Sequence, residues 1–229
     1  MLSTELQHTS SPDFLHTQGY AVIPNVLSEA QCAQLLQHTA PFQTRSRSSR
    51  TALSLPWCQE LARQLKTHPA IKPLLVPDAV AVQCTYFEKS ADRNWLVSIH
   101  QDLSAPVAQR VDHPQLQGWS EKEGQVFMQP PESIMRQMLA LRLHLEPCTE
   151  TDGPLKVYPR THHHIDYAPD SAQDREEVTL TAATGTVIAM KPMTLHASSK
   201  ASGHSKRRLL HFLMGPADLP YGLQWEMAV

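Results

Sequence analysis

Short stretches in which apolar and polar residues alternate fill much of the chain after residue 79. A period of two puts successive side chains on opposite faces of a strand, so each stretch predicts a strand with a buried face. Proline and glycine residues separate the stretches and predict the turns between them. The predicted strands cover residues 79–87, 96–99, 138–145, 155–158, 178–181, 186–190 and 209–214.

Helical patterns precede these strands. Residues 14–18 predict a short helix that ends in a turn at Gly19 and leads into a strand. Ser28 is a good N-cap for a helix over residues 29–38, and residues 56–68 predict another helix that begins with a proline. Many short strands behind these helices, with no clear helix between the strands, predict a mainly β fold of the sandwich or barrel type.

The chain length and the polar segments predict how the fold is organised. The length of 229 residues predicts one domain, residues 1–229. Residues 1–12 are polar and expected to be flexible. Residues 104–136 combine proline, glycine and mixed charge, and insertions that long are typically active-site lids or disordered segments. Residues 44–54 favour a solvated loop over a substrate-anion site, although the segment contains Arg45, Arg47 and Arg50.

Composition and charge narrow the classes of partner. Hydrophobic residues make up 41% and charged residues 18% of the chain, which suits a packed globular protein. The net charge of −2 gives no electrostatic basis for binding nucleic acid. The N-terminus lacks a secretory signal pattern, and no run of about 18 apolar residues predicts a membrane span. We therefore expect a cytoplasmic protein that acts on a small molecule, with its oligomeric state left open.

Cysteine and histidine contents bear on metal binding. The four cysteines lie far apart with no C-x-x-C pair, so neither a zinc knuckle nor a redox motif is predicted. Reduced thiols in a cytosolic enzyme fit this spacing best. Thirteen histidines are many for this length, although most of them are expected to be ordinary surface or capping residues. Their number nevertheless directs attention to possible metal ligands.

A candidate metal site begins at the end of an apolar strand. His100 and Asp102 are two residues apart after that strand, so they point to the same face. Two histidines and one carboxylate on one face of an octahedron leave open positions, which is the arrangement of non-haem iron(II) oxygenases. His196 is the best candidate for the third ligand, because it follows a buried strand and a turn. The H-x-D pattern alone is weak, since it also describes a strand-end histidine followed by a turn aspartate.

Arg207 strengthens this interpretation. It lies eleven residues after His196 and begins the last strand, where alternation puts Arg207, Leu209 and His211 on one face. An arginine that faces inward needs an anionic partner, because an unpaired buried charge is costly. The planar guanidinium suits bidentate pairing with a carboxylate, and the C5 carboxylate of 2-oxoglutarate would provide one. An ordinary strand-edge cation paired with an acid is the alternative.

Several motifs resemble those of the phytanoyl-CoA dioxygenase family of iron(II)/2-oxoglutarate oxygenases. Residues 14–28 resemble the start of that family, and residues 95–102 resemble its first metal motif. Residues 152–159 resemble the stretch that leads to a P-G-S-H motif. Residues 185–198 resemble the second metal motif, and Arg207 has the spacing of the arginine that binds the cosubstrate. The resemblance spans most of the chain.

The resemblance implies a double-stranded β-helix, or jelly roll, with N-terminal helices beside it. It implies that His100, Asp102 and His196 hold Fe(2+) and that Arg207 binds 2-oxoglutarate. It also implies Ser198 as a second contact to the carboxylate of the cosubstrate and Thr85 as a further cosubstrate contact. Residues 104–136, including Trp119 and Phe127 as candidate apolar contacts to the substrate, would then lie over the mouth of the active site.

Two positions depart from the family pattern. Arg160 and Thr161 stand where the family has glycine and serine, so a left-handed turn is not expected at Arg160. Thr186 stands where the family often has aspartate, and neither departure removes a candidate metal ligand. Asp102 argues against a halogenase, in which a small residue would leave a coordination position for chloride.

The predicted activity is a dioxygenase that uses O2 and hydroxylates a C–H bond of a small molecule, releasing succinate and CO2. Two alternatives from other classes stay open. One is a catalytically silent jelly roll that binds or senses 2-oxoglutarate. The other is a cupin-type metal-dependent hydrolase or isomerase, although such sites usually carry more histidines and need no inward arginine.

Overall fold

A computed structural model of the chain describes residues 9–43, 48–90, 93–166, 175–203 and 205–229. The helices are α1 (Pro12–Gln18), α2 (Glu29–Gln43), α3 (Pro56–Thr67) and the one-turn α4 (Glu132–Met135), joined by short 3₁₀ turns. None of the helices in these ranges is long and apolar enough to cross a membrane. The strands are β1 (Tyr20–Ile23), β2 (Ser48–Ser49), β3 (Val80–Lys89), β4 (Val97–His100), β5 (Ala105–Val107), β6 (Gln117–Lys122), β7 (Gln125–Gln129), β8 (Leu139–His144), β9 (Leu155–Val157), β10 (Val178–Leu180), β11 (Val187–Met190), β12 (His196–Ser198) and β13 (Arg207–Gly215).

The strands form a double-stranded β-helix, as the family resemblance implies. A six-stranded sheet has the order β1-β11-β8-β13-β3-β2, and a four-stranded sheet has the order β10-β9-β12-β4. Every named pairing within them is antiparallel. The two sheets enclose a cavity whose lining residues come from both.

Alternation along the central strands divides the six-stranded sheet into two faces. On β13, Leu210 and Phe212 belong to the largest apolar core, whereas Arg207 and His211 line the cavity. Helices α2 and α3 contribute residues such as Cys32 and Leu61 to the same core. The helices therefore cover the outer face. The inner face presents polar and charged residues to the cavity, together with Phe87 and Leu213.

The helices and the strand predicted near the N-terminus are present, although their first and last residues differ slightly from the prediction. The Ser28 hydroxyl accepts the Gln31 backbone N–H, and the Gln31 side chain returns a bond to the Ser28 backbone N–H at 2.9 Å. Gly19 ends α1 in the left-handed region at φ +86°. Helix α2 is five residues longer than predicted. Residues 1–8 of the expected flexible start lie outside the described residues, and α1 already begins at Pro12.

Residues 104–136 form regular secondary structure and are not a plain loop. They form the three-stranded antiparallel sheet β5-β7-β6, followed by α4. Phe127 and Met128 on β7 are buried, and Met128 packs in a cluster with Leu213 of β13. The short strands were missed because glycine and charged residues interrupt their alternation.

The expectation that Arg160 avoids a left-handed turn is wrong. Arg160 adopts φ +64°. Its backbone N–H donates to the Gln18 carbonyl at 3.0 Å, and its guanidinium forms an ion pair with Glu176 at 2.8 Å. These contacts offset the cost of positive φ for a residue with a Cβ.

Gly185 is a position where only glycine fits, and it yields the first prediction. It has φ +77°, and a Cβ there would overlap the Leu27 carbonyl. Gly124 has nearly the same φ, +76°, with open space around it. Gly124→Ala should cost about 1–2 kcal/mol from φ alone, and Gly185→Ala about 3–5 kcal/mol because overlap adds to it. Urea unfolding of both variants tests this, and equal losses would contradict it.

Candidate metal centre

Pairing of β4 with β12 brings two histidines together. His196, the first residue of β12, is the register partner of His100, the last residue of β4, and their ring centroids are 4.2 Å apart. Asp102 follows two residues after His100, and its backbone N–H donates to the Pro192 carbonyl at 2.9 Å. One ligand atom from each of His100, Asp102 and His196 lies within 4.8 Å of the others.

Hydrogen bonds fix which nitrogen of each histidine faces the centre. The Nδ1 atom of His100 is 2.8 Å from the Ser98 carbonyl, and that of His196 is 2.9 Å from the Thr194 carbonyl. A carbonyl only accepts, so both Nδ1 atoms carry the hydrogen and both Nε2 atoms present a lone pair. Each Nε2 is 3.6 Å from a different oxygen of Asp102.

The charge states suit a cation. Burial lowers the pKa of His196 to about 4, so its imidazole is neutral at pH 7. Burial would raise the pKa of Asp102, but His196, His100 and His211 together hold it well below its usual range. Burial alone would lower the pKa of His100, but hydrogen bonding and attraction from Asp102 raise it. A divalent cation between these groups would replace that attraction, and it would bind neutral imidazoles and a carboxylate.

Two imidazoles and a carboxylate from one side form the donor set of a site with open positions. This set suits iron(II) better than the closed four-ligand sites of structural zinc. The open side faces a cavity of about 260 Å³. The geometry therefore fits a reactive metal that binds further ligands from the cavity.

The inner face of the six-stranded sheet supplies a cationic wall to this cavity, formed by Arg207 and Arg142, with Lys89 beside Arg207 but not among the lining residues. In one cross-strand row Arg207 of β13 lies opposite Lys89 of β3, its register partner. In another row His211 of β13 lies between Thr85 of β3 and Arg142 of β8. Arg207 is 3% exposed and Lys89 fully buried, yet within the described ranges neither forms an ion pair with an acid. Buried cations without acidic partners are costly, so a bound anion would stabilise this wall.

Arg207 and Lys89 share one backbone acceptor and frame Ser198. Both donate to the Gly153 carbonyl, and Lys89 also donates to the Ser199 carbonyl. Lys89 Nζ donates to the Ser198 hydroxyl at 3.1 Å, so the hydroxyl hydrogen is free to donate elsewhere. Burial, followed by repulsion from Arg207 and Arg142, lowers the pKa of Lys89 to about 7.

The other predicted cosubstrate contacts lie in the same cavity. Ser198, Thr85 and Arg207 all line it together with the three candidate metal ligands. Thr85 is buried, and its hydroxyl accepts from the Gln83 amide at 2.9 Å. Phe127 lines the cavity, whereas Trp119 is not among the described lining residues. The ring centroid of Trp119 lies 5.5 Å from the guanidinium carbon of Arg110.

Sequence reasoning placed His211 on the face of Arg207 but gave it no role, and it missed Arg142. Arg142 Nη1 is 3.4 Å from His211 Nδ1, and because a guanidinium only donates, His211 Nε2 carries the hydrogen and faces Asp102 at 4.0 Å. The Nε atom of Arg142 is buried without a partner among the described residues. The available signal was an arginine and a histidine, Arg142 and His144, alternating with leucines in a predicted strand.

Of the three arginines in residues 44–54, two lie outside the described residues, namely Arg45 and Arg47. Arg50 lines the cavity and forms an ion pair with Glu123 at 2.7 Å. A third of the Arg50 side chain stays exposed, so the preference for a solvated loop over a substrate-anion site stays a prediction.

Comparison with known families finds one match across most of the chain. The sequence model of "Phytanoyl-CoA dioxygenase (PhyH)" matches residues 15–209. This range includes the candidate metal ligands and Arg207. No curated protein sequence matches the chain.

Solved structures share the fold at low sequence identity. The non-haem α-ketoglutarate-dependent carbocyclase SnoK from nogalamycin biosynthesis is 17% identical, with a TM-score of 0.67, over 90% of this chain and 83% of its own. The epimerase SnoN from the same biosynthesis is 14% identical, with a TM-score of 0.66, over 96% and 91%. HygX from Streptomyces hygroscopicus, solved with nickel and 2-oxoglutarate, is 13% identical, with a TM-score of 0.60, over 89% and 85%.

Removal of any one candidate ligand should abolish metal binding. We expect His100→Ala, Asp102→Ala and His196→Ala each to lose tight binding of Fe(II) or Ni(II), because two ligands hold a divalent ion poorly. Calorimetric titration measures the loss, and circular dichroism checks that each variant is folded. His113→Ala, at a histidine stacked on Tyr221 rather than at the centre, is the control. Unchanged metal affinity in the three variants would contradict the assignment.

Lys89 should make the stability of the ligand-free protein depend on pH. Its pKa is about 7 when folded and about 10.4 when unfolded, so the unfolded state binds more protons between these values. The free energy of unfolding should therefore rise with pH from 7 to 9, by at most about 1.4 kcal/mol per pH unit. Lys89→Met should remove that contribution. Denaturant unfolding of both proteins across this range measures it, and parallel pH profiles would contradict it.

Proposed function

Because the chain belongs to the phytanoyl-CoA dioxygenase family, we propose that it is an iron(II)- and 2-oxoglutarate-dependent dioxygenase that hydroxylates a C–H bond of a small molecule. The observation that carries the proposal is the proximity of His100, Asp102 and His196 to Arg207, because all four line the same cavity. Arg207 is buried and forms no ion pair with an acid of the described residues. The three candidate metal ligands alone would also fit a metal-dependent hydrolase. The added cationic wall favours a reaction with an anionic cosubstrate.

Each part of the site has a role in this proposal. His100, Asp102 and His196 would hold iron through two Nε2 atoms and a carboxylate oxygen. Bound iron, with 2-oxoglutarate and O2, supplies the oxidising power that breaks the C–H bond, and succinate and CO2 are released. The protein itself orients the reactants. His211 steadies Asp102 by presenting its Nε2 hydrogen toward that carboxylate.

Arg207 anchors the far end of the cosubstrate. Its guanidinium would pair with the C5 carboxylate of 2-oxoglutarate, and the free hydroxyl hydrogen of Ser198 would donate to the same group. Thr85 and Arg142 lie two inward-facing rows along from Arg207, in the row of His211 and beyond the row of Leu209. There they would contact the cosubstrate along its length. An anion there neutralises charges that now repel one another, so cosubstrate binding should also stabilise the fold.

We infer that residues 1–229 act as one domain and that residues 104–136 cover its cavity. Val107 of β5 forms a bridge with Trp225 near the C-terminus, and Met128 of β7 packs with Leu213 of β13. These contacts support a cover attached to the barrel by a buried edge. Phe127 gives this cover an apolar surface toward the substrate.

Hydroxylation is one outcome among those that this chemistry permits. The structural neighbours include an enzyme named as a carbocyclase and another named as an epimerase. We propose hydroxylation because the family is named for a dioxygenase. Mass spectrometry of a metabolite extract after turnover tests it, since a gain of one oxygen differs from a loss of two hydrogens or an unchanged mass.

The cosubstrate is tested by succinate release with Fe(II) and 2-oxoglutarate. Arg207→Ala should raise the KM for 2-oxoglutarate about 30- to several-thousand-fold, because loss of one partner of a desolvated charge pair costs roughly 2–5 kcal/mol. Arg207→Lys should recover only part of this, since an ammonium lacks the planar fork. Iron affinity should stay nearly unchanged in both variants.

Arg208 is the matched control on the opposite face of β13. It forms a bidentate ion pair with Glu146, at 2.7 and 2.6 Å, away from the cavity. Arg208→Ala should lower stability by about 1 kcal/mol and leave the KM for 2-oxoglutarate unchanged. Damage from Arg208→Ala with a silent Arg207→Ala would refute the anchor. Absence of any succinate would favour the silent binding module or the cupin-type enzyme.

A further inference from the structure

We propose that the substrate carries a carboxylate or a similar small anionic group, which Lys122 binds at the side of the cavity formed by the β5-β7-β6 sheet. This inference rests on the proposed function, because it assumes that the cosubstrate occupies the wall around Arg207. It adds the substrate class, which that function leaves open.

The position of Lys122 puts a cation beside the candidate metal centre. Lys122 ends β6 and lines the cavity, and its Nζ donates to the Ser104 hydroxyl at 2.6 Å. Ser104 follows two residues after Asp102, a candidate metal ligand. The ammonium also lies 4.8 Å from the ring centroid of Phe127, an apolar lining residue. A group bound to Lys122 would therefore lie next to the open side of the metal centre.

Lys122 has no acid to neutralise it. In the part of the chain that the structure describes, no ion pair joins it to a carboxylate. Its neighbour Glu123 is already paired with Arg50 at 2.7 Å, and its other neighbour, Glu121, is exposed. Burial and then repulsion from Arg50 lower the pKa of Lys122, although Asp102 acts in the opposite direction. The surroundings of this ammonium are thus electropositive and partly dry.

The charges of the cavity leave room for a second anion. Asp102 is the one acid among the described lining residues, against the cations Arg50, Lys122, Arg142 and Arg207. A divalent metal with Asp102 and the dianion 2-oxoglutarate carries one net negative charge, which Arg207 balances. Arg50 is balanced by Glu123. Two positive charges, on Arg142 and Lys122, then remain among the described lining residues, and a carboxylate of the substrate would neutralise the one on Lys122.

A purely structural role for Lys122 explains these contacts less well. A lysine that served only to cover Phe127 would extend its ammonium into water. Here the ammonium donates to the Ser104 hydroxyl, and both residues line the cavity. A leucine or methionine at this position would fill the same space without burying a charge. The cavity of about 260 Å³ lies at the small end of ligand sites and must also hold the cosubstrate, so a small substrate fits best.

The test uses a panel of small carboxylic acids, each with its matching primary amide. Full-length protein is loaded with Ni(II) and saturating 2-oxoglutarate, and its melting temperature is followed as each compound is added. With Fe(II) in place of Ni(II), succinate release is followed for the same compounds. We expect acids from the panel to raise the melting temperature and stimulate succinate release, while their amides do neither.

Variants assign that response to Lys122. In Lys122→Met the acid concentration for half-maximal effect should rise about 10- to 150-fold, as for loss of a hydrogen bond to a charged group. Lys122→Arg should retain part of the response. Lys72→Met, at an exposed lysine of a 3₁₀ turn, should respond like the wild type. Circular dichroism of ligand-free Lys122→Met checks that it is folded.

Three results would overturn the inference: amides as effective as acids, a Lys122→Met response equal to the wild type, or no response to any acid while 2-oxoglutarate is turned over. Failure of the proposed function looks different. In that case no addition yields succinate, whereas acids still shift the melting temperature of the wild type and not of Lys122→Met.

Discussion

Antiparallel pairing of β12 with β4 sets His196 opposite His100, and the rest of the site depends on that register. A slip of one residue would turn one imidazole away from the other, because side chains alternate along a strand. The same pairing brings Asp102 between the two Nε2 atoms. The carbonyls of Ser98 and Thr194, on these same segments, then fix both ring tautomers. Geometry and protonation state are therefore set by one local contact between two short strands.

Stability is lost at the inner face and regained at the outer one. Lys89, Arg142 and Arg207 are buried beside one another without ion pairs in the described residues. Burial and then repulsion from Arg207 lower the pKa of both Lys89 and Arg142. The opposite face of the same strands packs against α2 and α3 through leucine, phenylalanine and cysteine side chains. This division lets the sheet keep a charged interior, since the helices supply the apolar burial that holds the strands together.

The cavity has two chemically distinct sides. The six-stranded sheet offers Arg207, Thr85 and Arg142 on rigid central strands, which suits a cosubstrate that every turnover shares. The three-stranded sheet offers Lys122 and Phe127 from an inserted segment, and such segments vary without disturbing the barrel. A common reaction and a particular substrate can thus be supported by different parts of one fold.

Alternation and spacing in the sequence determined the β fold, the inward direction of Arg207 and the grouping of His100, Asp102 and His196 as candidate ligands. These rest on local periodicity, which a strand imposes directly on its residues. Arg142, Lys89 and Lys122 gained their meaning only in the tertiary structure. Their convergence depends on which strands pair, and strand pairing joins residues far apart in sequence that carry no shared local pattern. The left-handed Arg160 was likewise decided by distant partners, Gln18 and Glu176, whose bonds outweigh its own backbone preference.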